Sequence, residues 1–234
     1  MLKAFSAQMT RPEVVDLSVE ERLGLLGERE MTERHERRLK TRLRQAKWRR
    51  SAALEDIDSR HPRGLDKALI LSLASCQWGK DRRNLLITGP TGIGKTWLAC
   101  ALAQKACRQG YSALYLRLPR LRQDRPIAKG DGRYGKRMAS LANTDVRILD
   151  DWGLAQLRDE HRRDLLEVLE DRHDRRSTLV TSQFPVDHGH AAIGNPTLAD
   201  AILDRLVHNA YKITLTGESM RKQRAAWTKE TAST

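Results

Sequence analysis

The stretch GPTGIGKT, Gly89 to Thr96, follows the apolar run NLLIT and opens the run KTWLACALAQKACRQ. It meets the spacing G-x-x-x-x-G-K-[ST] with Gly89, Pro90, Thr91, Gly92, Ile93, Gly94, Lys95 and Thr96. Glycine reaches backbone angles that a Cβ disfavours, so successive amide N–H groups can turn toward one anion. A helix starting directly after the loop adds its own unpaired N–H groups. In such a loop the lysine reaches the β- and γ-phosphates and the hydroxyl ligates Mg²⁺. A strand signal before the loop and a helix signal after it separate a phosphate loop from a chance glycine turn, and both are present here. The expected ligand is a nucleoside triphosphate with Mg²⁺, held by residues 89–96.

Phosphate chemistry also needs a carboxylate at the end of a neighbouring strand. VRILDDWG supplies two. Asp150 is the candidate Mg²⁺ ligand beside Thr96. Asp151 stands where a general base or water-positioning group belongs. STLVTSQF ends in Thr181, Ser182 and Gln183, any of which could reach the γ-phosphate or the attacking water.

The elements that must hold these groups alternate between strand and helix. NLLITG, YSALYLRL, VRILDD and STLVTSQF read as strands, and KITLTG as a fifth. KTWLACALAQKACRQ reads as an amphipathic, alanine-rich helix closed by Gly110, and RDEHRRDLLEVLEDRHD as another helix. Such alternation predicts an α/β fold with a parallel sheet covered on both faces. Residues 12–60 read as helical and highly charged, and HPRGLD, residues 61–66, as a turn-rich joint. The expected division is a basic N-terminal helical domain, 1–60, and a nucleotide-binding domain, 61–234.

The charge balance points to a second ligand. The 234 residues carry a formal net charge of +13, with a sequence pI near 10.1. That excess favours a polyanionic partner. It is concentrated in two places. RHERRLKTRLRQAKWRR, residues 34–50, opposes nine Arg or Lys to Glu36; its candidate DNA contacts are Arg37, Arg38, Lys40, Arg42, Arg44 and Lys47. RLPRLRQDRPIAKGDGRYGKR, residues 117–137, reads as a loose basic loop with one aromatic face, Tyr134. Its candidates are Arg120, Arg122, Arg125, Lys129, Arg133, Lys136 and Arg137. The sequence carries no helix-turn-helix, zinc-finger or RNA-recognition pattern, so contact with duplex DNA is expected mainly through phosphates.

No stretch approaches the apolar length that crosses a bilayer, and the N-terminus turns acidic too early for a signal peptide. Cys76, Cys100 and Cys107 form no CxxC pair and read as reduced fillers in a cytoplasmic protein.

Together GPTGIGKTWLACALAQKACRQGY, LDDWG, STLVTSQFP, PTLADAILDRLVHNA and TGESMRK resemble the IstB-like ATP-binding proteins, from about Leu54 to Lys222. These are transposition helpers of insertion sequences, similar to the DnaC helicase loaders and to AAA+ ATPases of the DnaA clade. The resemblance implies an AAA+ core, ATP as the nucleotide, a transposase as partner and a homo-oligomer with ATP between neighbouring subunits. It implies that Arg205 of AILDRL is an arginine finger, where charge chemistry alone would equally allow an ion pair with Asp204 or Asp200. It implies Ser182 or Gln183 as the sensor beside the γ-phosphate and Arg221 as a further sensor. Most relatives of this kind carry glutamate where this chain has Asp151, so slow ATP hydrolysis without DNA is expected. A DnaC-like helicase loader is the alternative function. A small-molecule kinase ranks below both.

Overall fold

The computed structural model describes residues 17–58, 63–119, 134–153 and 157–220. In chain order the helices and strands are α1 (Val19–Gln45), α2 (Lys67–Ala74), α3 (Gln77–Lys80), β1 (Asn84–Thr88), α4 (Lys95–Arg108), β2 (Ala113–Arg117), α5 (Tyr134–Asn143), β3 (Val146–Trp152), α6 (Asp159–Arg172), β4 (Ser177–Ser182), α7 (Gly189–Ile193), α8 (Pro196–Val207) and β5 (Ala210–Thr214). The strands form one sheet in the order β2-β3-β4-β1-β5. Every pairing is parallel. The expected α/β architecture with an N-terminal helix is present.

Strand side chains alternate between faces, and both faces here are covered, which is why the strands read as continuous apolar runs. Leu85, Ile87, Ile148 and Leu179 lie on the side of α4. Leu86, Leu149 and Val180 lie on the opposite side, with Leu165, Leu169, Ile202 and Leu206 from α6 and α8. With β1 flanked by β4 and β5, the C-terminal ends of β1, β3 and β4 form one rim, and the glycine loop leaves from it.

α4 departs from the expected amphipathic helix. Leu98, Ala99, Cys100, Ala101, Leu102, Ala103, Ala106 and Cys107 are all buried. The alanines serve close approach on more than one side. The sheet covers one side of α4, and Leu39, Leu43, Ala46, Trp48 and Ala52 join the same cluster from the other. Gly110, at φ +102°, follows the α4 cap as expected.

α1 starts in a capping box. Glu21 N donates to Ser18 Oγ at 3.2 Å, and Ser18 N donates to Glu21 Oε2 at 2.8 Å. The first half of this helix leaves Val19, Leu23, Leu25 and Met31 exposed, and Leu26 is the residue it buries. The segment is not helical throughout. α1 ends at Gln45, Lys47 takes the left-handed region at φ +54°, and a single 3₁₀ turn, Leu54–Asp56, follows. Arg49 and Arg50 therefore lie off the basic helix. α5 begins inside the segment expected to be a loose loop and carries Lys136 and Arg137. The fifth strand starts at Ala210, ahead of the KITLTG expected for it.

Burial decides the chemistry of two cysteines. It pushes the Cys100 thiol up to about 12 and the Cys107 thiol up to about 11, from an ordinary 9.0. The unfolded chain ionises these thiols near 9.0 while the native chain keeps them protonated. Their contribution to stability is therefore whole below that pH and is lost as pH rises toward 11–12. Denaturant midpoints at about pH 8 and about pH 10.5 should show this fall. The Cys100→Ala/Cys107→Ala double variant should show a smaller one. Equal slopes for both proteins would contradict the prediction.

Candidate nucleotide site

The glycine loop is held open by its neighbours as well as by its own angles. Gly89 and Gly92 have φ +140° and +87°. A Cβ at Gly89 would fall 2.2 Å from Leu215 O, and one at Gly92 would fall 2.1 Å from Ser219 Oγ. The chain after β5 thus lies against the back of the loop, where any larger residue would displace it. Ile93, wholly buried, plugs the loop into the core. Gly94, at φ +102°, opens α4, and no side chain caps that helix. The first N–H groups of a helix have no acceptor within the helix itself. An anion belongs there on electrostatic grounds, so the donor set fits a phosphate.

Lys95 Nζ donates to Gly89 O at 2.6 Å and to Pro90 O at 2.8 Å, folded along the loop that it would serve. Thr91, Gly92, Lys95, Thr96, Asp151 and Gln183 line a cleft of about 470 Å³.

Asp151 reaches this cleft, and Asp150 reaches Thr96 in its lining, through an irregularity in β3. Adjacent strand residues point to opposite faces, so Asp150 and Asp151 could not both serve one site in a regular strand. The β3–β4 register shifts between Leu149 and Trp152, pairing Leu149 with Val180 but Trp152 with Ser182. Asp151 takes φ +62°, which aspartate tolerates better than most residues. This is a β-bulge, and it re-aims a side chain as bulges do.

Asp150 is fully buried and fully satisfied. Its Oδ1 accepts from Thr96 Oγ1 at 2.7 Å and from the Thr181 hydroxyl. Its Oδ2 accepts from the Tyr115 phenol and from Arg49 Nη1 at 3.4 Å. The Thr181 hydroxyl in turn accepts from Asp151 N at 3.2 Å, tying the bulge to β4. Burial, then the bond to Asp150, pushes the Tyr115 phenol well above its ordinary range. Asp151 is paired with Arg117 Nε, and Arg49 Nη1 lies 3.7 Å away. Contact with Tyr115, then the charges of Asp150 and Asp151, raise the Arg49 guanidinium above its usual value.

A metal at this point would meet one hydroxyl and one carboxylate of the chain, Thr96 and Asp150. No cluster of three or more His, Cys, Asp or Glu able to hold a metal occurs among the described residues. Phosphate oxygens would have to complete the shell, as Mg²⁺ prefers.

The other expected residues separate. Gln183 lines the cleft, whereas Ser182 is buried, accepts from Phe184 N and faces an apolar hollow under α8. Arg205 lies off the cleft, on α8. It donates to Ala201 O at 3.0 Å and to Glu170 Oε1 at 3.1 Å, with Asp204 at 3.9 Å. Asp200 is taken by His190 at 2.8 Å. On α1, Arg37, Arg38, Lys40 and Arg44 are exposed, as is Lys47 just past its end. Arg37 is also paired with Glu33, and Arg42 Nη1 reaches Cys107 O at the end of α4. Arg120, Arg122, Arg125, Lys129, Arg133 and Arg221 fall outside the described residues, as do the side chains of Lys136 and Arg137.

Sequence reasoning missed Arg49, Tyr115 and Arg117 as site residues, and it missed Arg63. Arg63 is buried, donates to Asp58 O and to Met220 Sδ, and lines the same cleft. Thr181 was one of three open choices at the end of its strand.

Comparison with known proteins agrees with this geometry. Residues 1–228 match the family described as IstB-like ATP binding protein. An insertion sequence ATP-binding protein of Sinorhizobium fredii is 54% identical over 222 residues, 95% of this chain and 91% of that protein. The ATP-binding protein of insertion sequence IS1162 from Pseudomonas fluorescens is 54% identical over 197 residues, 84% of this chain and 85% of its own length. Among solved structures, DnaI aligns with a TM-score of 0.59 at 23% identity, over 70% of this chain and 91% of that one. The DnaC helicase loader aligns at 0.57 and 19%, over 70% and 97%. At those identities the two structures speak for the fold alone. The phosphate loop, the paired aspartates and the sequence match over nearly the whole length lead to one conclusion: the chain belongs to the IstB-like ATP-binding proteins, a P-loop family of AAA+ fold associated with insertion sequences.

Proposed function

We propose that the chain is an Mg²⁺-dependent ATPase that binds duplex DNA as an ATP-dependent homo-oligomer and assists the transposase of its insertion sequence. The observation that carries the catalytic part is the bulge in β3, which brings a buried Asp150 onto Thr96 and a more accessible Asp151 onto the same cleft. A buried carboxylate beside the metal-ligating hydroxyl and a second one facing the cleft suit metal positioning and water activation respectively. Magnesium nucleotide, when bound, supplies the electrophilic γ-phosphorus and the divalent charge that offsets its oxygens. Lys95 leaves the carbonyls of Gly89 and Pro90 to meet phosphate, and the open N–H groups of α4 receive the rest. Asp151 must leave Arg117 to act on a water, in keeping with slow turnover in the resting protein. Gln183, in the cleft wall, is the better placed of the two sensor candidates.

Arg205 lies off its own cleft, on α8, which suits a finger offered to the nucleotide of an adjacent copy. The exposed basic side chains of α1 suit contact with DNA phosphates, and the division into 1–60 and 61–234 belongs to the same reading. So does a cytoplasmic site of action; no described helix is long and apolar enough to cross a membrane. The insertion-sequence names of the 54%-identical relatives favour the transposase over a replicative helicase as partner. Pull-downs against both proteins separate these readings.

Lys95→Ala should weaken ATP binding about 10- to 100-fold, the range of hydrogen bonds to a charged group. Calorimetric titration checks this, and unchanged affinity would contradict it. Arg205→Ala should keep ATP affinity while lowering turnover on the order of 10³-fold, the scale of an arginine finger. Normal hydrolysis by that variant would overturn the shared site. Affinity for duplex DNA should fall with salt at a log–log slope of about −0.9 per phosphate contact. An Arg37→Glu/Arg38→Glu/Lys40→Glu variant should flatten that slope, whereas a slope indifferent to the substitutions would remove α1 from the DNA surface.

A further inference from the structure

Arg49 was not among the contact or site candidates read from the sequence. It was counted in the basic helix, yet α1 ends before it. Lys47, in the left-handed region, turns the chain, and Trp48 packs against the core. Arg49 then reaches inward to a carboxylate 101 residues away. Its two ion pairs are long, 3.4 Å to Asp150 and 3.7 Å to Asp151, and its side chain is still 38% exposed at the edge of the cleft. Arg117, by contrast, holds Asp151 closely.

The other partner of Asp150 Oδ2 is Tyr115, and this residue touches both ends of the same device. Its phenol donates to Asp150, while its backbone N–H donates to Ala46 O at 2.9 Å, at the exit of α1. The carboxylate, the phenol, the exit of α1 and Arg49 are therefore one connected unit. A fully buried carboxylate demands a countercharge, and Arg49 supplies one. A divalent cation on the same carboxylate would make that countercharge redundant and repel it.

We propose that Arg49 is a positioning residue, the counter-ion of the nucleotide-free site: it neutralises Asp150 and Asp151 and gives way to solvent once magnesium nucleotide is held. Through Trp48, Ala46 and Tyr115 the exit of α1 then follows nucleotide state. The inference rests on the nucleotide reading of the cleft and extends it to the N-terminal helix, whose basic side chains would be reset by the same event.

The test is calorimetric titration of ATP into the full chain at a series of Mg²⁺ concentrations. Arg49→Gln should lower the Mg²⁺ concentration for half-maximal ATP binding about two- to fivefold, as expected when a partly exposed competitor is removed. Arg49→Lys, which keeps the charge, should stay near wild type. Tyr115→Phe, which removes the phenol from the same oxygen together with its contact to Arg49, should shift in the same direction as Arg49→Gln and gives a second reading should that variant not fold. In parallel, Mg²⁺ with ATP should change the fluorescence of Trp48, isolated by difference from Trp48→Phe. Free Arg49→Gln should already emit like the liganded wild type. A higher or unchanged Mg²⁺ requirement in Arg49→Gln, or a Trp48 signal indifferent to Mg²⁺ and ATP, would overturn the proposal and leave the nucleotide reading standing. Wild-type protein that binds no ATP at any Mg²⁺ concentration would overturn both.

Discussion

A single buried carboxylate, Asp150, organises the site. It is wholly inaccessible, and its two oxygens accept from Thr96, Thr181, Tyr115 and Arg49. Those donors come from α4, β4, β2 and the exit of α1, so one side chain ties four separate stretches to the end of β3. Burying a charge is unfavourable unless it is paired and hydrogen-bonded throughout. The rest of the site follows from meeting that condition. The parallel order β2-β3-β4-β1-β5 sets β3 between Tyr115 and Thr181, and β1 delivers the loop that carries Thr96.

Satisfying Asp150 leaves Asp151 free for different work. The bulge turns Asp151 out of the pleat toward the cleft, where Arg117 and Arg49 hold it. Two neighbouring carboxylates thus receive unlike surroundings. One is locked in the interior by three hydroxyls and a more distant Arg49, and the other rests against Arg117 and Arg49 at the edge. That difference suits the metal-holding role proposed for Asp150 and the water-activating role proposed for Asp151.

The loop 89–96 was legible in the sequence because its chemistry is contiguous and bracketed by a strand and a helix. Asp150 and Asp151 were legible because they end an apolar run at the right distance. The parallel sheet followed from strand and helix alternation. Arg49, Tyr115 and Arg117 were not legible, since their approach depends on strand order, on a turn at Lys47 and on a one-residue register shift, none of which leaves a periodic trace. The burial of α4 on most sides was missed for a related reason. An alanine-rich helix reads as amphipathic until the segment covering its outer side is known, and here that segment is the irregular chain 46–57. The exposed apolar residues early in α1 show the converse. Helical spacing alone does not say whether a core exists to receive them.

The central claim is that Asp150 and Thr96 hold a metal only together with nucleotide phosphate. Mn²⁺ can replace Mg²⁺ as a paramagnetic reporter, and the direct measurement is its binding by electron paramagnetic resonance, with and without ATP, in wild type and in Asp150→Asn. The account predicts tight Mn²⁺ binding by the wild type only when ATP is present, and its loss in the variant. Mn²⁺ bound equally well without ATP, or bound with ATP regardless of Asp150, would contradict it.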